Sequence, residues 1–296
     1  MKFYIVDAFA DKLFGGNPAG VVLIDEGMDF PRDEIMVSTA AELRYSETAF
    51  VRQTDDREFV IRYFTPEAEV DLCGHATIGS FCALKDMQKI AKGTCKCVTK
   101  AGILNISVLE NAVLMDMGTP KLIDKITDVN GLKELYGIMG IDYEHQGDVS
   151  DVPGIFLLPE MVSTGLPDIM MPVGSIEDLQ SIRPDLEKLS KLSERYGVVG
   201  VHAFTLNAGD NKIHCRNFAP LYGIDEEAAT GTSNGALTYY LYRNNIINEG
   251  TKNTFIQGEA MGRPSRISSL LTVSDSHMRI QVGGEAVVLA SGDIRI

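Results

Sequence analysis

Apolar and polar residues alternate in short bursts along this chain, and the bursts fall into two runs that follow one plan. Lys2 to Phe9 and Val21 to Ile24 read as strands joined by a turn-rich segment, FGGNPAG, at residues 14 to 20. Arg32 to Leu43 has helical spacing, and strands are expected at Tyr45 to Arg52 and Glu58 to Phe64. Gly74 to Lys89 is a helix of small and apolar residues with few polar side chains to face water, which places it centrally. Strands near Thr94 to Val98, Gly102 to Leu109 and Ala112 to Met117 follow, and Gly118, Thr119 and Pro120 mark a crossover. The second run has a strand at Gly154 to Leu158, the segment GLPDIMMPV at 165 to 173, and a charged helical stretch from Ile176 to Tyr196. Strands at Val199 to Leu206 and Lys212 to Phe218 lead to a second small-residue helix, Gly231 to Asn244. Thr254 to Gln257, Ser265 to Val273 and His277 to Val282 read as closing strands, and Val287 to Ile296 pairs back with one of the two halves.

A short string recurs within this plan. Residues 62 to 66 read RYFTP and residues 216 to 220 read RNFAP, about 154 residues apart. Each leads through an acidic loop to a glycine that opens one of the small-residue helices. The first copy ends at Cys73, Gly74, His75, Ala76 and Thr77; the second ends at Thr230, Gly231, Thr232, Ser233 and Asn234. The recurrence predicts two lobes, each with a helix N-terminus whose backbone N–H groups and positive dipole end favour an anion. Facing each other, two such ends would grip a small anionic ligand. The expected lobes are residues 1–118, completed by a strand at about 283–296, and residues 119–282.

Length and composition narrow the function. At 296 residues the chain exceeds the roughly 150 expected of one domain, in keeping with two lobes. A net charge of −14 makes nucleic acid and anionic membrane surfaces poor partners. No apolar run approaches about 18 residues, and MKFYIVDAF reaches Asp7 too soon for a signal peptide. The five cysteines have no CxxC pair and no regular spacing, which fits reduced thiols in a cytoplasm rather than a disulfide scaffold.

Glu47 is the most unusual residue. In an extended Tyr45 to Arg52, Tyr45, Glu47, Ala49 and Val51 share one face, so the carboxylate interrupts an apolar row. A buried, unpaired carboxylate costs several kcal/mol, and such a group raises its pKa or serves a purpose such as carrying a proton. The competing reading turns Glu47 to solvent and Phe50 inward. His75 sits at the first helix N-terminus, where the dipole favours neutral imidazole and the side chain can donate a hydrogen bond or relay a proton. The other histidines, 145, 202, 214 and 277, lack metal-ligand spacing and read as structural or surface residues. Cys73 could act as a thiolate base in racemisation, but the repeat places Thr230 opposite it, and a threonine cannot hold an exchangeable proton near neutral pH. Cys73 then reads as a packing residue near the site. The triplet Asp225, Glu226 and Glu227 would stabilise the second helix N-terminus. FGGNPAG lacks the GKS or GKT ending and the GxGxxG spacing of nucleotide loops.

FGGNPAGVV, YSETAFV, RYFTPEAEVDLCGHATIG, RNFAPLYGIDEEAATGTSNGA and QGEAMGRPSRI, in this order over nearly the whole chain, resemble the phenazine biosynthesis PhzF-like proteins, relatives of diaminopimelate epimerase. The resemblance implies an α+β fold of two pseudo-symmetric lobes, each a mostly antiparallel mixed β-sheet or barrel wrapped around a central helix, with the site in the cleft between them. It implies a homodimeric isomerase needing no cofactor and no metal, acting on a small anionic amino or hydroxy acid. Glu47 would carry the proton, with His75 orienting substrate or relaying a proton and Glu227 as the second acidic catalytic residue. Gly74, Gly231 and Thr232 would bind substrate, with Asn17 and Ser46 nearby. One departure stands out: the family reads EDPATGSA where this chain reads EEAATGTS, so Glu227 and Ala228 replace aspartate and proline. The extra methylene reshapes the pocket and points to a different substrate. Two alternatives remain: an amino-acid epimerase or racemase using Cys73, and a small-acid binding or interaction protein without turnover.

Overall fold

The computed structural model describes residues 1–143, 157–274 and 277–296. These form two units, Met1–Asp116 with Gly283–Ile296, and Met117–Val282. The first contains β1 (Lys2–Ala8), β2 (Asn17–Leu23), α1 (Asp33–Leu43), β3 (Thr48–Asp55), β4 (Glu58–Phe64), β5 (Glu69–Val70), α2 (Gly74–Asp86), β6 (Gly93–Thr99), β7 (Gly102–Val108) and β8 (Val113–Asp116). The second contains β9 (Lys121–Lys125), α3 (Val129–Ile138), β10 (Glu160–Ser163), β11 (Pro167–Pro172), α4 (Ile176–Ser181), α5 (Leu186–Tyr196), β12 (Gly200–Thr205), β13 (Ile213–Ala219), β14 (Ile224–Glu227), α6 (Gly231–Arg243), β15 (Lys252–Gln257) and β16 (Ser265–Ser274). β17 (His277–Gly284) runs across the boundary between the two residue ranges, and β18 (Ala286–Asp293) belongs to the first unit.

Sheet order turns the sequence repeat into a repeat of topology. In the first unit β18–β1 and β1–β2 are antiparallel, β2–β3 parallel, β3–β4 antiparallel, β4–β6 parallel and β6–β7 antiparallel. The second unit repeats that order: β9–β10 and β10–β11 antiparallel, β11–β12 parallel, β12–β13 antiparallel, β13–β15 parallel and β15–β16 antiparallel. Parallel neighbours need a crossover, and α1 supplies it between β2 and β3, as α4 and α5 do between β11 and β12.

Both small-residue helices are central, as their composition predicts. His75 to Phe81 are all buried in α2, and Ser233 to Thr238 are all buried in α6. Burial on every face requires small side chains where strands approach: a Cβ on Gly235 would lie 3.0 Å from Thr164 Oγ1. α5 is instead amphipathic, packing Leu189 and Leu192 with Leu132, Leu135, Ile169 and Val201.

Several expectations need correction. β2 begins at Asn17, not Val21, because Asn17 and Pro18 already pair with Ala8 and Asp7 of β1. β3 begins at Thr48, not Tyr45. Its start is set by Arg44, which ends α1 in a left-handed conformation (φ 59°) with its N–H donating to Ala40 O, so Tyr45 to Glu47 carry the turn. Thr48 to Val51 are then all buried, as befits an interior strand between β2 and β4, and the alternation assumed for Glu47 does not apply. α3 is absent from the sequence reading: Gly131 and Gly137 weaken its pattern, and its N-terminus is secured by Asp128, whose side chain accepts from Gly131 N. Of the strand expected at Gly154 to Leu158, residues 154–156 lie outside the described residues, and β10 begins at Glu160.

Candidate active site

His75 is the hub of a buried cluster in the first unit. Cys73 is the N-cap of α2, so the helix start projects Cys73, Gly74 and His75 together. Cys73 Sγ lies 3.4 Å from His75 Nδ1 and 3.7 Å from Nε2. Asn17 comes from the first residue of β2, and its Nδ2 is 3.3 Å from His75 Nδ1. The glycine-rich loop serves this placement. Asp7 Oδ2 accepts from Phe14 N at 2.9 Å, and a Cβ on Gly16 (φ 64°) would sit 2.1 Å from Ala8 O, so only glycine lets the loop return so tightly to β1. Ser46 and Glu47 arrive from the turn between α1 and β3, and the Glu47 carbonyl accepts from Gly20 N at 3.4 Å.

On the far side of the imidazole, Ser46 Oγ is 3.4 Å and Glu47 Oε2 3.4 Å from His75 Nε2. Glu47 Oε2 is buried and makes no hydrogen bond, its alignment with Nε2 falling short of one. Burial lowers the His75 pKa, with the Glu47 charge acting weakly in the opposite direction, so the ring is neutral near neutral pH. An Asn17 amide donating to Nδ1 leaves the imidazole proton on Nε2, beside Glu47 and Ser46.

The second unit builds its helix mouth differently. Thr230 caps α6, its hydroxyl donating to Glu227 Oε2 at 2.6 Å, while its N–H donates to Gln257 Oε1 at 3.2 Å. Gly231 and Thr232 form the first turn, and Thr232 O accepts from Thr164 Oγ at 3.1 Å. Among the α-helices described, α3, α4 and α5 carry side-chain caps from Asp128, Ser175 and Asp185, and α1 has Asp33 and Glu34 in its first turn. α2 and α6 have neither a side-chain cap nor an acidic first turn. Their own caps and first turns thus lack the compensating side chain that the other helices carry.

The repeated RxF string proves to be a brace for the acidic loop ahead of each helix. Arg62 Nε and Nη2 donate to Glu69 at 2.7 and 2.9 Å, and Arg216 Nε and Nη2 donate to Glu226 at 2.8 and 2.7 Å. Each guanidinium also stacks on the phenylalanine two residues on, 5.1 Å from the Phe64 centroid and 4.9 Å from that of Phe218.

Residues 6–292 match the PhzC-PhzF family model, described as phenazine biosynthesis-like protein. The chain belongs to that family. It is 32% identical over 306 residues to an uncharacterized isomerase of Clostridium acetobutylicum, covering 99% of this chain and 97% of the relative. A crystal structure of the Bacillus anthracis phenazine biosynthesis protein, PhzF family, superposes with a TM-score of 0.86 at 26% identity, covering 100% of this chain and 99% of that one. A probable proline racemase from Agrobacterium radiobacter shares the fold, with a TM-score of 0.63 at 12% identity over 100% of this chain and 93% of that one. Among the described residues no helix is long and apolar enough to cross a membrane.

For this member of the phenazine biosynthesis-like family, the structure brings Asn17, Ser46, Glu47, Gly74 and His75 together in the first unit. Glu227, Gly231 and Thr232 gather at the start of α6 in the second. Cys73, read as a packing residue, has its sulfur against the imidazole. A second polar cluster escaped the sequence reading. Asp168 on β11 accepts from Ser233 Oγ, and Asn217 Nδ2 reaches Ser233 Oγ at 3.2 Å and His202 Nδ1 at 3.3 Å. A Cβ on Gly200 would lie 1.8 Å from Phe218 O. Asp168 Oδ1 and His202 Nε2 are buried without partners. The available signal was an acid inside the apolar run PDIMMP.

Burial is the leading cause that pushes Asp168 up to about 6 and His202 down to about 4. The two act in opposite senses. Asp168 contributes stability present below its unfolded pKa of about 3.9 and lost as pH rises through 6, whereas His202 contributes stability present above about 6.5 and lost as pH falls through 4. Asp168→Asn removes the first effect alone. Denaturant unfolding of both proteins should show the stability of wild type relative to the variant falling by on the order of 2 kcal/mol between pH 4 and 6.5. A difference that does not vary with pH would contradict the assignment.

Proposed function

We propose that this chain is a cofactor-independent isomerase that moves a proton on a carbon of a small amino or hydroxy acid, with Glu47 as the acid and base. The observation that carries this reading is Glu47 Oε2, buried, without a hydrogen bond and 3.4 Å from His75 Nε2. A carboxylate spared from structural pairing is available to take a proton and return it. Neutral His75, with its Nε2 proton beside Glu47, orients the substrate or relays that proton. Removing a proton next to a carboxylate builds negative charge, which backbone N–H groups at a helix start stabilise. Gly74 is assigned this role in the first unit, with Asn17 and Ser46 as substrate contacts. In the second unit Gly231 and Thr232 are assigned substrate binding and Glu227 the second acidic function. Its longer side chain, in place of the family's aspartate, favours a substrate other than the phenazine precursor. A homodimer is part of the same proposal and rests on the family likeness.

One observation favours a second reading. Cys73 Sγ lies 3.4 Å from His75 Nδ1, so a thiol and an imidazole are paired as an epimerase base would need. A single experiment separates the readings. The protein incubated with a panel of small amino and hydroxy acids in D2O should place solvent deuterium on carbon, at an undiminished rate in Cys73→Ser. Loss of exchange in Cys73→Ser alone would transfer the role to the thiol. Tight binding of an acid with no exchange for any ligand would leave a binding protein.

A further inference from the structure

We propose that Glu47, Cys73 and His75 form an open three-ligand site for a thiolate-binding divalent transition metal ion, with Zn2+ the best chemical match. One sulfur, one imidazole nitrogen and one carboxylate oxygen from these residues lie within 4.8 Å of one another. Two of the three spacings already suit a tetrahedral ion: Glu47 Oε2 to His75 Nε2 is 3.4 Å, and Cys73 Sγ to His75 Nε2 is 3.7 Å. Four-coordinate zinc, with bonds of about 2.0–2.3 Å, holds neighbouring donors about 3.3–3.7 Å apart. A soft sulfur with a nitrogen and a single oxygen selects zinc or its neighbours over magnesium and calcium, which demand oxygen shells.

The carboxylate gives independent support. Glu47 Oε2 is buried with no hydrogen bond, so coordination there displaces no existing hydrogen bond of that atom. All three ligands are held by backbone features described above, the cap of α2 and the turn into β3, and assembling the site needs Cys73 Sγ, now nearly equidistant from the two ring nitrogens, to swing toward the Nε2 lone pair. With Nε2 on the metal, the imidazole proton moves to Nδ1, and the Asn17 amide, 3.3 Å away, turns to present its oxygen to it, the usual outer support of a metal-bound histidine. Three protein ligands leave a fourth position for water or a small anion. An ion so placed occupies Glu47 and His75 together, and therefore shuts off proton transfer. That consequence rests on the proposed isomerase reading, whereas the binding itself does not.

Titration of the full-length protein with Co2+ tests the site without an activity assay. One equivalent should produce a sulfur-to-cobalt charge-transfer band and the intense visible bands of four-coordinate cobalt. Cys73→Ser should lose the charge-transfer band, and competition with a chromophoric chelator should show Zn2+ binding weakened at least tenfold. Glu47→Gln should keep the band while Zn2+ affinity falls about 10- to 100-fold, at least what an outer-shell partner is worth. Circular dichroism matching wild type confirms that both variants are folded. A weak six-coordinate cobalt spectrum in wild type overturns the proposal, as does a band that survives Cys73→Ser and so belongs to another cysteine. Zinc binding without deuterium exchange for any acid would sink the isomerase reading and leave the metal site standing; exchange without zinc binding would do the reverse.

Discussion

Glu47→Gln is expected to lower the rate of carbon-bound deuterium uptake about 100- to 10,000-fold, the range for loss of a general acid or base. Glutamine keeps the length and planarity of the side chain but cannot accept a proton from carbon. Because Oε2 makes no hydrogen bond in the folded protein, the substitution breaks none there, and stability should change little. The loss should appear in kcat with little change in KM, since an interaction made only in the transition state is removed. Glu47→Asp keeps the acid but withdraws it by one methylene from its position 3.4 Å from His75 Nε2, and should retain part of the activity. Exchange at the wild-type rate in Glu47→Gln would end the assignment.

Arg216→Ala is expected to cost about 3–5 kcal/mol of stability, the usual penalty for removing one partner of a buried ion pair. The Arg216 side chain is 8% exposed and that of Glu226 16%. Besides the bidentate pair, Arg216 Nη1 donates to Leu179 O at 3.1 Å and Ile182 O at 3.0 Å, so the variant strands one carboxylate and two carbonyls. Arg216→Lys should recover only part of the loss, since an ammonium cannot reproduce the fork. Arg62 is the internal control. It makes the same pair with Glu69, yet is 23% exposed, so water can replace more of what Arg62→Ala removes and the cost should be smaller. Denaturant midpoints for the three variants measure this, and equal small losses from both alanine variants would refute the view of the Arg216 brace as a buried support.

The repeat, both central helices and most strands were legible because each rests on local pattern: small residues all round a helix, alternation along a half-buried strand. Glu47 was singled out by an argument that the fold replaces. Its strand begins one residue later, and its burial comes from the turn after left-handed Arg44, a conformation that no periodicity reveals. The Arg62–Glu69 and Arg216–Glu226 braces were hidden because their partners lie 7 and 10 positions apart along the chain, and only strand pairing brings them together. Asp168 and His202 were passed over for the same reason: β11 and β12 become neighbours only through a parallel pairing that spans α4 and α5.

The place of β18 has a consequence for how the chain is made. β1 is made before the other strands described, yet one of its two edges is completed by β18, which follows all of them, with Met1 N donating to Ile294 O at 3.2 Å and Ile294 N to Met1 O at 3.0 Å. The unit encoded first is therefore the one finished last. Throughout synthesis of the intervening residues, β1 keeps an unpaired row of N–H and C=O groups, the kind of edge that invites pairing with another chain.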